Sequence, residues 1–182
     1  IKINCLILIH WGNNCYYASF QNNFSYNLLM NDKSKAPNFL GLIDENEYLS
    51  LDNFKGKYLV IYFYPKDKTS GCTIESQDFR DHHKKFKAKN CAIVGVSRDS
   101  IKSHKSFQEK ESLNFPLISD PDEKMCNAYG VMKEKSMYGR KYMGIERSTF
   151  LISPDGKIIK EWRGVKVPGH VEDVYQMLCS LD

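Results

Sequence analysis

Cys72 is the residue whose neighbours most favour chemistry. It lies near the end of the run Tyr62-Phe63-Tyr64-Pro65-Lys66-Asp67-Lys68-Thr69-Ser70-Gly71-Cys72-Thr73, which reads as strand, loop and helix start. Pro65 cannot donate to a sheet ladder and so ends the strand. Gly71 permits a sharp entry into the helix. Cys72 then stands at or just inside a helix N-terminus, where unpaired N–H groups and the positive end of the helix dipole favour an anion. A thiol in that place loses its proton more readily, and the thiolate is the nucleophile. An isolated cysteine is most often a small buried hydrophobe; the loop and helix start set Cys72 apart.

Helical spacing orients the sulfur. Cys72, Phe79 and Phe86 are seven residues apart and share one helix face. The two phenylalanines should pack on a sheet, so Cys72 points inward to the floor of a pocket. Burial alone disfavours a thiolate, and the site therefore needs donors or a cation. Thr69 can supply a hydroxyl hydrogen bond. Arg147, at the start of a downstream strand, is the candidate cation, because its rigid fork of donors can hold a thiolate and a substrate oxygen together. No histidine has a convincing catalytic partner, which disfavours a Cys-His hydrolase.

Strands and helices alternate from residue 36 onward. Residues 57–65 (KYLVIYFYP) and 92–97 (AIVGVS) read as central buried strands. Helices are expected over 73–89 and 100–112, the latter with Ile101, His104 and Phe107 or Gln108 near one stripe. A short strand at 116–119 precedes a short helix over 121–129, with Pro121 at its first position. Residues 148–152 and 157–162 form a hairpin across the turn Ser153-Pro154-Asp155-Gly156. Val171, Val174, Tyr175 and Leu178 mark a closing amphipathic helix. Parallel βαβ units followed by an antiparallel hairpin and helix give a mixed sheet with helices on both faces, the plan of an α/β thioredoxin-like fold. The Rossmann-like rival lacks a GxGxxG after a strand.

The 182 residues suit one ordinary domain, and 42% apolar with 26% charged residues rules out a disordered or collagen-like chain. The longest early apolar run, Leu6-Ile7-Leu8-Ile9, is far below the ~20 residues that span a bilayer, so no membrane is expected. A net charge of +4 is too weak to imply nucleic acid. His82-His83-Lys84-Lys85, with Lys87 and Lys89, reads as a solvated helix face rather than a nucleic-acid site. Lys133, Lys135, Arg140 and Lys141 read as an exposed loop shaping the substrate mouth, and Trp162 as core or rim.

Residues 1–33 differ from the rest: no acidic residue precedes Asp32, seven asparagines fall in the first 31 positions, and no helical or strand alternation persists. They read as an N-terminal extension, either a passive tail or an address, to a domain over 34–182. Six cysteines without CxxC or zinc-ligand spacing point to an intracellular protein with mostly reduced thiols, its compartment left open.

The set Pro65, Thr69 and Cys72 resembles the PxxxTxxC signature of peroxiredoxins. The stretch YFYPKDKTSGCTIESQDFRD resembles the bacterioferritin-comigratory-protein, or peroxiredoxin Q, branch. The likeness continues in IVGVSRDS (93–100), FPLISD (115–120), AYGV (128–131) and GIERSTFLI (144–152), covering about 36–181. The resemblance implies a thioredoxin-dependent peroxidase without metal, haem or other cofactor. Cys72 would be the peroxidatic cysteine, attacking hydrogen peroxide or an alkyl hydroperoxide and becoming a sulfenic acid. Thr69 and Arg147 would hold the peroxide and stabilise charge on the leaving oxygen; Pro65 would shield the pocket. Glu75 matches the branch too, in a supporting role that orients Arg147.

Many members of this branch carry a resolving cysteine five residues after the peroxidatic one, where this chain has Gln77, or on the next helix, which here has none. Cys91 falls at the opposite end of the sheet from Cys72, beyond disulfide reach. Cys126 and Cys179 read as packing residues, while Cys5 and Cys15 remain open as resolving thiols. The expectation is a one-cysteine-like cycle with thioredoxin, glutaredoxin or glutathione as reductant. The alternative is a non-catalytic thioredoxin-fold binding or chaperone-like module.

Overall fold

The computed structural model describes the backbone of residues 6–11 and 14–19 and both backbone and side chains across 35–181, apart from residue 138 and the side chain of 137. Two compact units divide at residues 32 and 33. In the first, β1 (Leu6–Trp11) and β2 (Asn14–Ser19) form an antiparallel pair. The sequence shows no alternation there because the first strand is a continuous apolar run.

The second unit is built on a seven-stranded sheet. Its elements are β3 (Leu40–Asp44), β4 (Glu47–Ser50), a 3-10 turn (Leu51–Phe54), β5 (Tyr58–Phe63), α1 (Ser70–Ala88), β6 (Cys91–Ser97), α2 (Ile101–Glu111), β7 (Leu117–Ser119), α3 (Lys124–Ala128), the hairpin β8 (Met132–Met137) and β9 (Arg140–Ile145), β10 (Ser148–Ile152), β11 (Ile158–Trp162) and α4 (His170–Cys179). The strand order is β11-β10-β5-β6-β7-β3-β4. β5, β6 and β7 run parallel, and the flanking strands pair antiparallel.

Alternation along the central strands divides the core in two. Leu59, Ile61 and Phe63 join Val94, Val96, Phe150 and Ile152 on one face. Val60, Tyr62 and Tyr64 join Ile93, Leu117 and Leu151 on the other. α1 covers the second face with Phe79 and Phe86, α2 with Phe107, and α4 with Val171, Val174 and Leu178. α3 closes the first face with Met125 and Cys126.

Several boundaries differ from expectation. α1 begins at Ser70, not 73, because Thr69 is already its extended N-cap residue. Pro121 is not the first residue of a helix. Glu123, with φ +59, precedes α3, and the Asp120 carboxylate accepts from Met125 N at 3.1 Å and Cys126 N at 2.8 Å. That side chain caps the helix from five residues back. Lys133, Lys135, Arg140 and Lys141 lie on the β8–β9 hairpin rather than in a loop.

The basic face of α1 is partly committed to the fold. His82 Nε2 lies 3.1 Å from Glu172 Oε2 on α4, and the Lys85 ammonium sits 5.5 Å from the centre of the Tyr175 ring. Trp162 is half-buried against the α1 side of the core.

Candidate active site

β5 delivers the site. Its last residues are fully buried, and Tyr64 N is still bonded to Val96 O at 3.1 Å. The chain then leaves the C-terminal edge of the parallel strands, where α/β sites usually lie. Pro65 is half-buried at this exit. Lys68 takes φ +60, an uncommon conformation for a side-chain-bearing residue. The loop then feeds α1, with Cys72 its third residue. The sulfur lies inside the first turn, among the unpaired N–H groups.

Cys72 is 1% exposed and belongs to the same buried cluster as Phe79 and Phe86. The Arg147 Nη2 group donates to Cys72 Sγ at 3.2 Å. Arg147 precedes β10, and β10 pairs with β5, so the two side chains, 75 positions apart in sequence, meet across adjacent strands. The absence of a side chain at position 71 helps. A Cβ on Gly71 would stand 3.4 Å from Arg147 Nη2, at the close edge of van der Waals contact.

Glu75, one turn further along α1, completes a three-residue chain. Arg147 Nη1 donates to Glu75 Oε2. The guanidinium thus spans a carboxylate and a sulfur with its two terminal nitrogens, a geometry that lysine could not reproduce. Burial raises the Glu75 carboxyl to about 7, against the opposing pull of Arg147. Its second oxygen, Oε1, finds no hydrogen-bond partner among the described residues. For Arg147, burial opposes the charge, and the adjoining Glu75 and Cys72 outweigh it and hold the guanidinium above its ordinary value.

The shift at Glu75 has a measurable consequence. Between its ordinary value of 4.5 and about 7, folded protein keeps a proton that unfolded chain has released. The contribution of Glu75 to stability is therefore fullest below pH 4.5 and is lost as pH rises through 7, a change of about 3 kcal/mol from this one group. Glu75→Gln has no such proton to lose. Wild type should lose stability relative to Glu75→Gln between pH 4.5 and 8, as read from urea midpoints. A constant difference across that range would contradict a buried, proton-retaining Glu75.

Thr69 does not make the expected bond. Its hydroxyl donates to Lys66 O at 3.1 Å, not to the sulfur. The left-handed turn at Lys68 brings that carbonyl under the threonine, three residues back. The hydroxyl thus stiffens the loop while its backbone caps α1.

Two buried histidines do have structural partners, though neither is bonded to Cys72. His104, on α2 and fully buried, places Nδ1 2.9 Å from Asp67 Oδ2 in the Cys72 loop. A second buried histidine, His170, has Nε2 2.8 Å from Thr149 Oγ1 and packs edge-on to Trp162 and Phe79. Burial lowers it to about 4, so it is neutral near neutrality. Polar residues at buried stripe positions were the available signal: His104 stands between Ile101 and Phe107 on an apolar stripe.

Cys72, Cys91, Cys126 and Cys179 are free thiols. Cys91 pairs with Tyr58 at the far end of β5. The five-residue rise from there to Phe63 is roughly 17 Å, which puts Cys91 out of disulfide reach of Cys72. Burial raises the Cys91 thiol to about 12, and burial with the neighbouring Asp120 raises that of Cys126 further. Cys5 lies outside the described residues, and Cys15 is described only as a backbone position in β2. No group of three metal-ligating side chains occurs among the described residues, nor is any described helix long and apolar enough to cross a membrane.

Residues 33–161 match the AhpC/TSA family. Peroxiredoxin Bcp of Bacillus subtilis is 50% identical over 147 residues, 81% of this chain and 94% of the relative. Peroxiredoxin Bcp of Xanthomonas campestris is 54% identical over 123 residues, 68% and 77% of the two chains. Among solved structures, the X. campestris bacterioferritin comigratory protein, described for its alkyl peroxide reduction activity, superposes with a TM-score of 0.76. It shares 46% identity, over 78% of this chain and 89% of that one. A mutant of Xylella fastidiosa PrxQ gives 0.77 and 42%, over 83% and 96%. The chain belongs to the AhpC/TSA family, in its bacterioferritin-comigratory, or peroxiredoxin Q, branch. It is a thiol-dependent peroxidase with a thioredoxin-like fold.

Proposed function

We propose that Cys72 is the peroxidatic cysteine and that the enzyme reduces hydrogen peroxide and alkyl hydroperoxides through a sulfenic acid. The observation that carries this is the 3.2 Å contact between Arg147 Nη2 and a sulfur held in the first turn of α1. The Cys72 thiolate attacks the terminal oxygen of ROOH. An S–O bond forms and the O–O bond breaks; sulfur is oxidised by two electrons to Cys–SOH, and the leaving RO⁻ takes up a proton to depart as ROH. Arg147 orients the peroxide and stabilises the charge moving onto the leaving oxygen. Pro65 screens the sulfur from the strand side, and Thr69 holds the loop through its bond to Lys66. Activity on alkyl hydroperoxides is taken from the X. campestris relative.

The sulfenic acid is cleared by an external thiol. One R′SH condenses with Cys72–SOH to give a mixed disulfide and water, and a second thiol reduces that disulfide. Position 77 is Gln and no cysteine lies in α2, while Cys91 stands at the wrong end of the sheet. Thioredoxin, glutaredoxin and glutathione are the candidate reductants, and free thiols suit an intracellular compartment. Residues 34–182 act as the peroxidase domain, with 1–33 an extension to it.

Mass spectrometry after one equivalent of hydrogen peroxide, with dimedone present, tests the cycle. The expected product is monomer carrying one dimedone on Cys72. A disulfide joining Cys72 to Cys5 or Cys15 within one chain would overturn the one-cysteine cycle.

A further inference from the structure

The loop that carries Cys72 is fastened to a second helix, α2, through its own midpoint. Asp67 lies between Pro65 and Cys72, yet its side chain is only 2% exposed. Its Oδ1 accepts the Tyr64 hydroxyl at 2.7 Å and its Oδ2 the Ser103 hydroxyl at 2.7 Å. His104 Nδ1 approaches the same carboxylate at 2.9 and 3.2 Å. The backbone N–H of Asp67 donates to Asp99 Oδ2 at 2.9 Å, and that oxygen also accepts from Ser97 at 2.8 Å. One residue later, Lys68 Nζ donates to Ser106 Oγ at 3.0 Å. Ser103, His104 and Ser106 all belong to α2.

The ring of His104 is bonded at both nitrogens. Nε2 lies 3.2 Å from the Ile118 carbonyl oxygen. A carbonyl and a carboxylate only accept, so each ring nitrogen is placed to donate, and the pair with Asp67 is ionic when the ring is protonated. Burial would raise the Asp67 carboxyl; the bonds from His104, Ser103 and Tyr64 outweigh it and hold it low. A buried ion pair contributes little net stability compared with a well-packed apolar pair. What it supplies is direction, because each bond tolerates only a narrow range of positions.

We infer that Asp67 and His104 are positioning residues for the peroxidase reaction: their ion pair pins the midpoint of the 65–72 loop to α2 and so fixes where the Cys72 sulfur stands against Arg147. The inference rests on Cys72 being the reacting sulfur. Asp67 touches neither peroxide nor sulfur and acts through the five-residue segment that ends at Cys72. Thr69, bonded to Lys66 O, stiffens that segment so that a shift at Asp67 is passed on rather than absorbed.

Three quantities test this in wild type, Asp67→Ala, Asp67→Asn and His104→Ala: melting temperature, the second-order rate of Cys72 with hydrogen peroxide well below that temperature, and the ratio of Cys72 labelling by a bulky polyethylene-glycol maleimide to labelling by iodoacetamide. Asp67→Ala and His104→Ala should slow the peroxide step on the order of tenfold or more, since ångström misplacements carry such costs. The labelling ratio should rise by a similar factor as the loop loosens. Asp67→Asn should recover most of both, because a carboxamide can accept from Tyr64 through its oxygen and donate through its NH2 to the Ser103 oxygen and to a neutral His104 ring. Val94→Ala, a core truncation on the opposite face of the sheet, should lower the melting temperature without moving rate or ratio.

If Asp67→Ala and His104→Ala behave like Val94→Ala, the pair is merely structural and the inference is overturned. Should either alanine variant fail to fold, Ser103→Ala removes a single donor to Asp67 and reads the same quantities. A failure of the Cys72 assignment would show separately, as peroxidase activity surviving Cys72→Ser, while the labelling ratio would still report the loop.

Discussion

Cys72→Ser should reduce peroxidase turnover to the rate of peroxide with reductant alone, while leaving the protein folded. The two side chains are nearly the same size, and position 72 is 1% exposed within a packed cluster. The serine hydroxyl can also accept the Arg147 hydrogen bond that the sulfur receives. What is lost is the nucleophile. A serine hydroxyl stays protonated near neutrality and has no adjacent base, since His104 is engaged with Asp67 and His170 with Thr149. Following peroxide loss with dithiothreitol, or NADPH oxidation with a thioredoxin system, gives the rate. Circular dichroism and melting temperature give the fold. Activity equal to wild type would transfer the chemistry to another residue.

Arg147→Ala should follow in size, lowering the rate of the peroxide step roughly 10²- to 10³-fold, as for the loss of one well-placed donor to a developing oxyanion. The same change strips Glu75 of its partner. That carboxylate is wholly buried, and an uncompensated buried charge costs about 3–5 kcal/mol. Glu75 escapes part of this by remaining protonated, so the stability loss should be small at pH 5 and large at pH 8. The double variant Arg147→Ala/Glu75→Gln separates the two effects: it should recover stability at pH 8 and none of the activity. Arg147→Lys should fall between wild type and alanine, because an ammonium cannot reach both Glu75 and Cys72 with a fixed fork. Activity recovered along with stability in the double variant would reduce Arg147 to a structural counterion.

What could be read from residues alone follows from the range over which each signal acts. The buried strands β5, β6 and β10 are short apolar runs rich in β-branched and aromatic residues, and their neighbours in sequence suffice to define them. The same holds for α4, whose apolar residues recur at helical spacing. β3, β4, β8 and β9 escaped notice because their faces are mixed or exposed: Leu40, Tyr48, Tyr142 and Met143 are all turned outward. Their pairing depends on partners elsewhere in the chain.

The site divides in the same way. The environment of Cys72 is written in the twelve residues from Tyr62 to Thr73, and Arg147 could be sought because a buried thiolate demands a cation. The Thr69 hydroxyl bonds Lys66 O across the left-handed turn at Lys68, a local contact that its spacing from Cys72 does not reveal. The Asp67–His104 pair was missed because the two lie 37 positions apart. Within the sequence, Asp67 reads as one more charged loop residue, and only the docking of α2 brings it under cover.

Gly95 on β6 faces the helix-covered side of the sheet, where a Cβ would fall 2.6 Å from Leu117 Cδ2 and 2.8 Å from Tyr62 Cζ. The Tyr62 ring lies over that vacant spot, stacks on Phe79 at 4.6 Å and bonds Ser76 at 3.0 Å. Both partners belong to α1, and Ser76 is one turn from the sulfur. One missing methyl on a neighbouring strand therefore helps set how the reactive helix seats. A side chain at position 95 would consequently press on the seat of the reactive helix without meeting the oxidant, and a catalogue of inactivating variants drawn only around the thiol would overlook it.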